Sequence, residues 1–116
     1  MRLHFELLAL ALLSACSGEL CGNDPLTGEE SPDKKKIAMV YLRDCGATTG
    51  FSTHVSILDA PGRLPNKPGH VLVVAGKHPG AVRWEGNNRL VILGLDSAKE
   101  FLKLTEFKGI EINYEK

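Results

Sequence analysis

Asp44, Cys45 and His54 are the residues of this sequence whose types could carry covalent chemistry: a thiol as nucleophile, an imidazole as its base, and a carboxylate nearby. The same stretch supports a non-covalent reading. Gly46 and Gly50 expose backbone N–H groups and Thr48 and Thr49 add hydroxyls, so that, with Asp44 and His54, the 44–50 segment is a candidate binding loop for an anion or a peptide edge. The bland alternative is a hairpin loop whose polar groups satisfy one another. The loop lacks the Lys and the following helix of a phosphate-binding P-loop. His54, His70 and His78 have no His-x-His or His-x₃-His spacing that would preorganise a metal site, so neither metal nor cofactor is expected. Asp44 and Asp59 could serve as acid and base, but nothing in the sequence sets their separation. No serine nucleophile elbow, zinc-protease motif or dinucleotide fingerprint occurs.

These residues must be positioned by strands. From Ile37 to Leu42 the chain is almost continuously apolar, as in a strand covered on both faces. From Phe51 to Leu58, apolar residues and Thr53 alternate with Ser52, His54 and Ser56, the pattern of a half-buried strand. The two form a hairpin. If its loop is 46–50, Cys45 opposes Phe51 and Leu42 opposes His54, which puts the thiol and the imidazole on different faces. Three prolines and two glycines make 59–69 a loop, and strands follow at 70–75, 81–85 around a core-anchoring Trp84, and 89–93. The 97–107 segment reads two ways. Ser97 and Glu100 suit a capping box and a short helix, whereas alternation of Phe101, Lys103 and Thr105 with Leu102 and Leu104 suits a strand that turns at Lys108-Gly109 into 110–114. The strand reading gives a mainly β fold, a small antiparallel meander or sandwich of six or seven strands. Residues 17–31, rich in Gly, Asn, Asp and Glu, read as a tether, and Ser31-Pro32-Asp33-Lys34 as the turn that opens the domain at residue 32.

The N-terminus reads as an export leader. Leu7 to Leu13 is uncharged and apolar but far shorter than the roughly 20 residues that span a bilayer. Leu13-Ser14-Ala15-Cys16 then resembles the lipobox of bacterial lipoproteins. That resemblance implies a signal peptide at 1–15, acylation of Cys16 (palmitate among the chains), and a tether at 16–31; Ser17 resembles the sorting signal for an outer membrane. Glu6 departs from the usual basic start of such a leader. If Cys16 carries lipid, Cys21 and Cys45 remain, and in an exported chain a single bridge between them is the simplest outcome, with a free, reactive Cys45 as the alternative.

Ser31-Pro32-Asp33-Lys34 before an apolar strand is similar to the turn of TolB-type propeller blades, with Lys34 where those have Gly. A whole propeller needs more strands than this chain holds. The 31–58 stretch, above all Asp44-Cys45-Gly46-Ala47-Thr48-Thr49-Gly50-Phe51, resembles an uncharacterised family of small exported bacterial proteins. The resemblance extends loosely to Trp84 and to 110–114, and implies a mainly β fold and Cys21–Cys45 pairing; it carries no activity, cofactor or partner.

The 116 residues suffice for one small core, and 14 basic against 14 acidic residues leave no net field for binding nucleic acid. Lys34, Lys35 and Lys36 could meet anionic head groups near the anchor or simply be solvated. The expectation is a lipid-anchored module of the cell envelope, facing the periplasm or the cell surface, that binds the membrane through its lipid and an envelope protein through the hairpin end. The alternatives are a small envelope enzyme using Asp44, Cys45 and His54, and a structural lipoprotein of envelope assembly.

Overall fold

The computed structural model describes residues 20–46, 49–96 and 98–116. The leader at 1–15, the lipobox Cys16, Thr48 of the candidate loop and Ser97 of the capping box lie outside them. The described residues form nine strands and no helix: β1 (Gly22–Glu30), β2 (Lys36–Asp44), β3 (Phe51–Asp59), β4 (Leu72–Ala75), β5 (Ala81–Trp84), β6 (Arg89–Leu93), β7 (Glu100–Lys103), β8 (Glu106–Phe107) and β9 (Ile110–Glu115). They build two sheets, ordered β1-β2-β3-β4-β7 and β5-β6-β9-β8. The mainly β reading therefore holds, and the 97–107 ambiguity resolves into two short strands. Pairing is antiparallel except between β6 and β9. The chain between those two crosses to the larger sheet to supply β7 before returning, the long connection that a parallel pair requires.

The core lies between the sheets. Alternate residues of the larger sheet, among them Ala38, Val40, Val55, Leu72 and Val74, meet Val82, Leu90, Ile92, Ile110 and Ile112 of the smaller one. Trp84 packs against the rim of this cluster, half-buried, instead of anchoring its centre. Its indole Nε1 donates to the Glu29 carbonyl at 2.8 Å, which ties an edge of the small sheet to β1.

Two expectations need correction. Residues 22–30 are not tether but the edge strand β1, paired along its whole length with β2. Its composition disguised it: Gly, Asn, Asp and Pro are poor strand formers, tolerated at an edge where Pro25 needs no partner for a missing N–H and where the register shifts at a bulge between Pro25 and Thr27. The hairpin register also differs by one. Asp44 opposes Phe51 and Tyr41 opposes His54, so the loop is 45–50. Cys45 leaves the β2–β3 ladder for Cys21, and the Asp44 carboxylate caps the loop by accepting the Gly46 N–H at 3.0 Å. That shift brings Tyr41, and not Leu42, beside His54.

The outer face of β2 and β3 is covered as well. The 60–70 segment runs across it as a strap, so Thr53, His54, Val55, Ser56 and Ile57 are all buried, where alternation had predicted a strand with one wet face. Gly69 makes the crossing possible: a Cβ there would lie 2.9 Å from both the His54 Cβ and the Val55 carbonyl oxygen.

Candidate functional site

The hairpin end is built by three strands that outrun the second sheet. β1, β2 and β3 have nine residues each, whereas the strands facing them have two to six. Cross-strand partners share a face, so Asp44 with Phe51 and Leu42 with Thr53 extend the inner, core-facing row beyond Val40 and Val55. At this end the row is not capped by the small sheet. Phe51 stays 42% exposed, and so does Leu26 at the β1 bulge, at 43%.

The turn after β4 forms the far wall. Thr53 Oγ1 donates to the Gly76 carbonyl at 2.7 Å and accepts the His78 N–H at 3.1 Å, while the Gly76 N–H bonds the Phe51 carbonyl at 2.9 Å. Leu26, Leu42, Lys77, His78 and Pro79 then line a groove of about 200 Å³. The Lys77 ammonium sits 4.2 Å from the centroid of the Phe51 ring, an exposed cation–π contact. Asp24 opposes Leu42 and Asp44 follows Leu42 two residues on along the same face, so carboxylates as well as the Lys77 ammonium belong to this end of the sheet.

Cys21 and Cys45 are disulfide-bonded, continuing the β1–β2 register one step past the Gly22–Asp44 pair. The bridge fastens the first described strand to the hairpin loop. Within that loop the polar groups largely satisfy each other: Asp44 caps Gly46, and Thr49 donates both its N–H and its hydroxyl to the Gly46 carbonyl at 3.2 and 3.1 Å. Gly46 and Gly50 both adopt positive φ, at 114° and 72°, which explains the residue type at each. Of the candidate loop residues, Asp44, Gly46, Thr49 and Gly50 are thus together at the hairpin tip, and His54 is not with them.

His54 belongs to the buried face beneath the strap. Its Nδ1 accepts the Gly69 N–H at 2.7 Å, its Nε2 lies 2.7 Å from Ser52 Oγ, and its ring stacks on Tyr41 with centroids 5.4 Å apart. Because Nδ1 accepts from a backbone donor, the neutral ring carries its proton on Nε2 and donates it to Ser52. A base for serine would need the opposite tautomer. Burial, then the nearby Arg43 charge, pushes the His54 pKa down to about 4. Asp44 projects from the other face of the sheet and Cys45 is bridged, so the three residues read as a catalytic set are not assembled as one.

The rest of the strap network is polar too. Tyr41 Oη hydrogen-bonds Ser56 Oγ and the Lys67 carbonyl, Asn23 Nδ2 donates to the carbonyls of Pro65 and Lys67, and Arg43 donates to Asn23 and Asn66. The other two described histidines are committed to the backbone: His70 Nε2 to Ile57, and His78 Nε2 to the Ala75 carbonyl at 2.8 Å. Lys34, Lys35 and Lys36 stand at the opposite end of β2 from Cys21, and Lys36 is paired with Asp59.

Sequence reasoning missed Leu26, Leu42 and Lys77 as surface residues of interest. Leu26 was hidden in a segment read as tether, and only the unequal strand lengths leave Leu42 uncovered. No family model, no curated protein and no solved structure matches the chain.

Proposed function

We propose that this chain is a lipid-anchored interaction module of the cell envelope, acylated at Cys16, that makes its contacts through the hairpin end. The observation that carries the reading is the overhang of β1, β2 and β3, which leaves Leu26, Leu42 and Phe51 on an apolar surface with no second sheet above it. The disulfide and the polar strap support it by holding that end rigid, so contact there costs little ordering. Binding is favoured over thiol catalysis because Cys45 is bridged and both His54 nitrogens are engaged.

Two measurements test the reading. Intact mass of the protein recovered from membranes should show an acylated chain beginning at Cys16. A photo-crosslinking residue at position 51 should form adducts in cells, and one at the exposed Arg63 on the strap should not. Adducts at 63 and none at 51 would move the contact surface to the other face, and a chain without acyl mass would remove the anchor.

A further inference from the structure

We infer that the hairpin end faces the membrane and that its apolar surface contacts lipid, not another protein. The inference rests on acylation at Cys16, as proposed above, and adds what that anchor must touch.

The reach of the chain between lipid and sheet decides which end meets the membrane. With 16–31 as a free tether, an anchored domain could stand about 50 Å from its lipid, at roughly 3.5 Å per extended residue. But 22–30 is strand β1, and Cys21 is bonded to Cys45 in the hairpin loop. Only the five steps from Cys16 to Cys21 remain, a span of at most about 18 Å. The head-group layer itself is about 5–7 Å deep on each side of the hydrocarbon. The end of the sheet nearest the lipid is therefore the hairpin end, whatever path those residues take.

The chemistry of that end suits an interface. Leu20, where the described chain begins, is 82% exposed, and Phe51 and Leu26 are each exposed by more than two-fifths. Lys77 lies over the Phe51 ring, an aromatic to sit at head-group depth beside a cation that can extend toward water. Asp24 and Asp44 offset Lys77, so the attraction is apolar and should depend on neither anionic lipid nor salt. The three consecutive lysines that would prefer anionic lipid are held at the far end of β2.

Trp84 provides an internal control. It bonds Glu29, whose β2 partner Ala38 opposes Ile57, and Phe51 lies six residues further along β3, about 20 Å away. The full-length acylated protein would be reconstituted into phosphatidylcholine vesicles whose acyl chains are brominated, and tryptophan emission compared with unbrominated vesicles. Wild-type emission should be unchanged. The Phe51→Trp variant should lose roughly half its total emission, because one of its two indoles then sits within about 10 Å of the acyl boundary. Leu26→Trp, at a second exposed position, should behave alike and guards against a local folding defect in the first. The quenching should survive 1 M salt. Vesicle-bound protein in which neither new indole is quenched would overturn the inference while leaving the anchor in place. A chain that carries no acyl mass and does not float with vesicles would overturn both. Protein adducts, in place of lipid adducts, from the crosslinker at position 51 would assign the surface to an envelope protein.

Discussion

Protonating His54 should unfasten the strap. The ring is 3% exposed, accepts the Gly69 N–H on Nδ1 and meets Ser52 through Nε2, so an added proton must go to Nδ1, where it would face a donor. Burial and Arg43 hold its pKa at about 4, against an ordinary 6.5. The folded state thus binds this proton more weakly than the unfolded chain, and its contribution is complete above pH 6.5 and is lost as the pH falls toward 4. A difference of about 2.5 units at about 1.4 kcal/mol each amounts to about 3.5 kcal/mol in full, of which about 3 kcal/mol is lost by pH 4, where half of the folded molecules carry the proton; that is a large share of what a domain of this size possesses. Urea unfolding of the wild type and of His54→Asn between pH 7.5 and 4 would measure it. Asn supplies an acceptor for the Gly69 N–H but does not titrate, so carboxylates and the other histidines cancel in the difference. The wild type should lose about 3 kcal/mol relative to the variant across that interval, and its His54 imidazole resonances should titrate near pH 4. Parallel pH profiles for the two proteins, or a His54 that titrates near 6.5, would refute the reasoning.

The remaining expectations concern the features that hold the hairpin end and the strap. Replacing Cys21 and Cys45 by Ser releases a loop of sequence separation 24, and should cost about 3.5 kcal/mol in urea unfolding on the chain-entropy model. Amide exchange should accelerate first in 22–30, since β1 pairs on one side only. Gly69→Ala places a methyl 2.9 Å from the Val55 carbonyl oxygen and 3.0 Å from that of Leu72, backbone atoms that cannot step aside. It should cost about 1–3 kcal/mol and raise the His54 pKa by lifting the strap, checked by unfolding and by NMR titration. Lys34 holds φ at 61° in the Ser31–Lys34 turn, so Lys34→Gly should raise stability by about 0.5–1 kcal/mol, read as a higher urea midpoint with unchanged slope.

Much of the fold was legible because its signals are local. The apolar run of β2, the alternation of β3, the Lys108-Gly109 turn and the glycines of the hairpin tip each express a backbone preference or a period that a short window contains. The Cys21–Cys45 bridge was legible by arithmetic, given the exported reading of the leader. The Ser31–Lys34 turn was legible from Pro32 and Asp33, and the structure adds that Lys34 adopts the left-handed conformation for which Gly is suited.

What the tertiary structure alone decided follows from contacts between distant segments. Gly22–Glu30 has no strand composition, and becomes β1 because Cys45, Arg43 and the strap carbonyls of Pro65 and Lys67 hold Cys21 and Asn23 beside β2. His54 alternates in sequence as a solvent-facing residue, yet is buried because Gly69 lets the strap approach. The hairpin register turned on a single residue, set by whether Cys45 stays in the β2–β3 ladder or leaves it for Cys21. Local sequence determined which segments extend and where they turn, since φ preference and side-chain period act over a few residues. Which faces are covered depends on segments 15 to 44 residues away, as the bonds from His54 to Gly69 and from Asn23 to Lys67 attest, and no local window contains both partners.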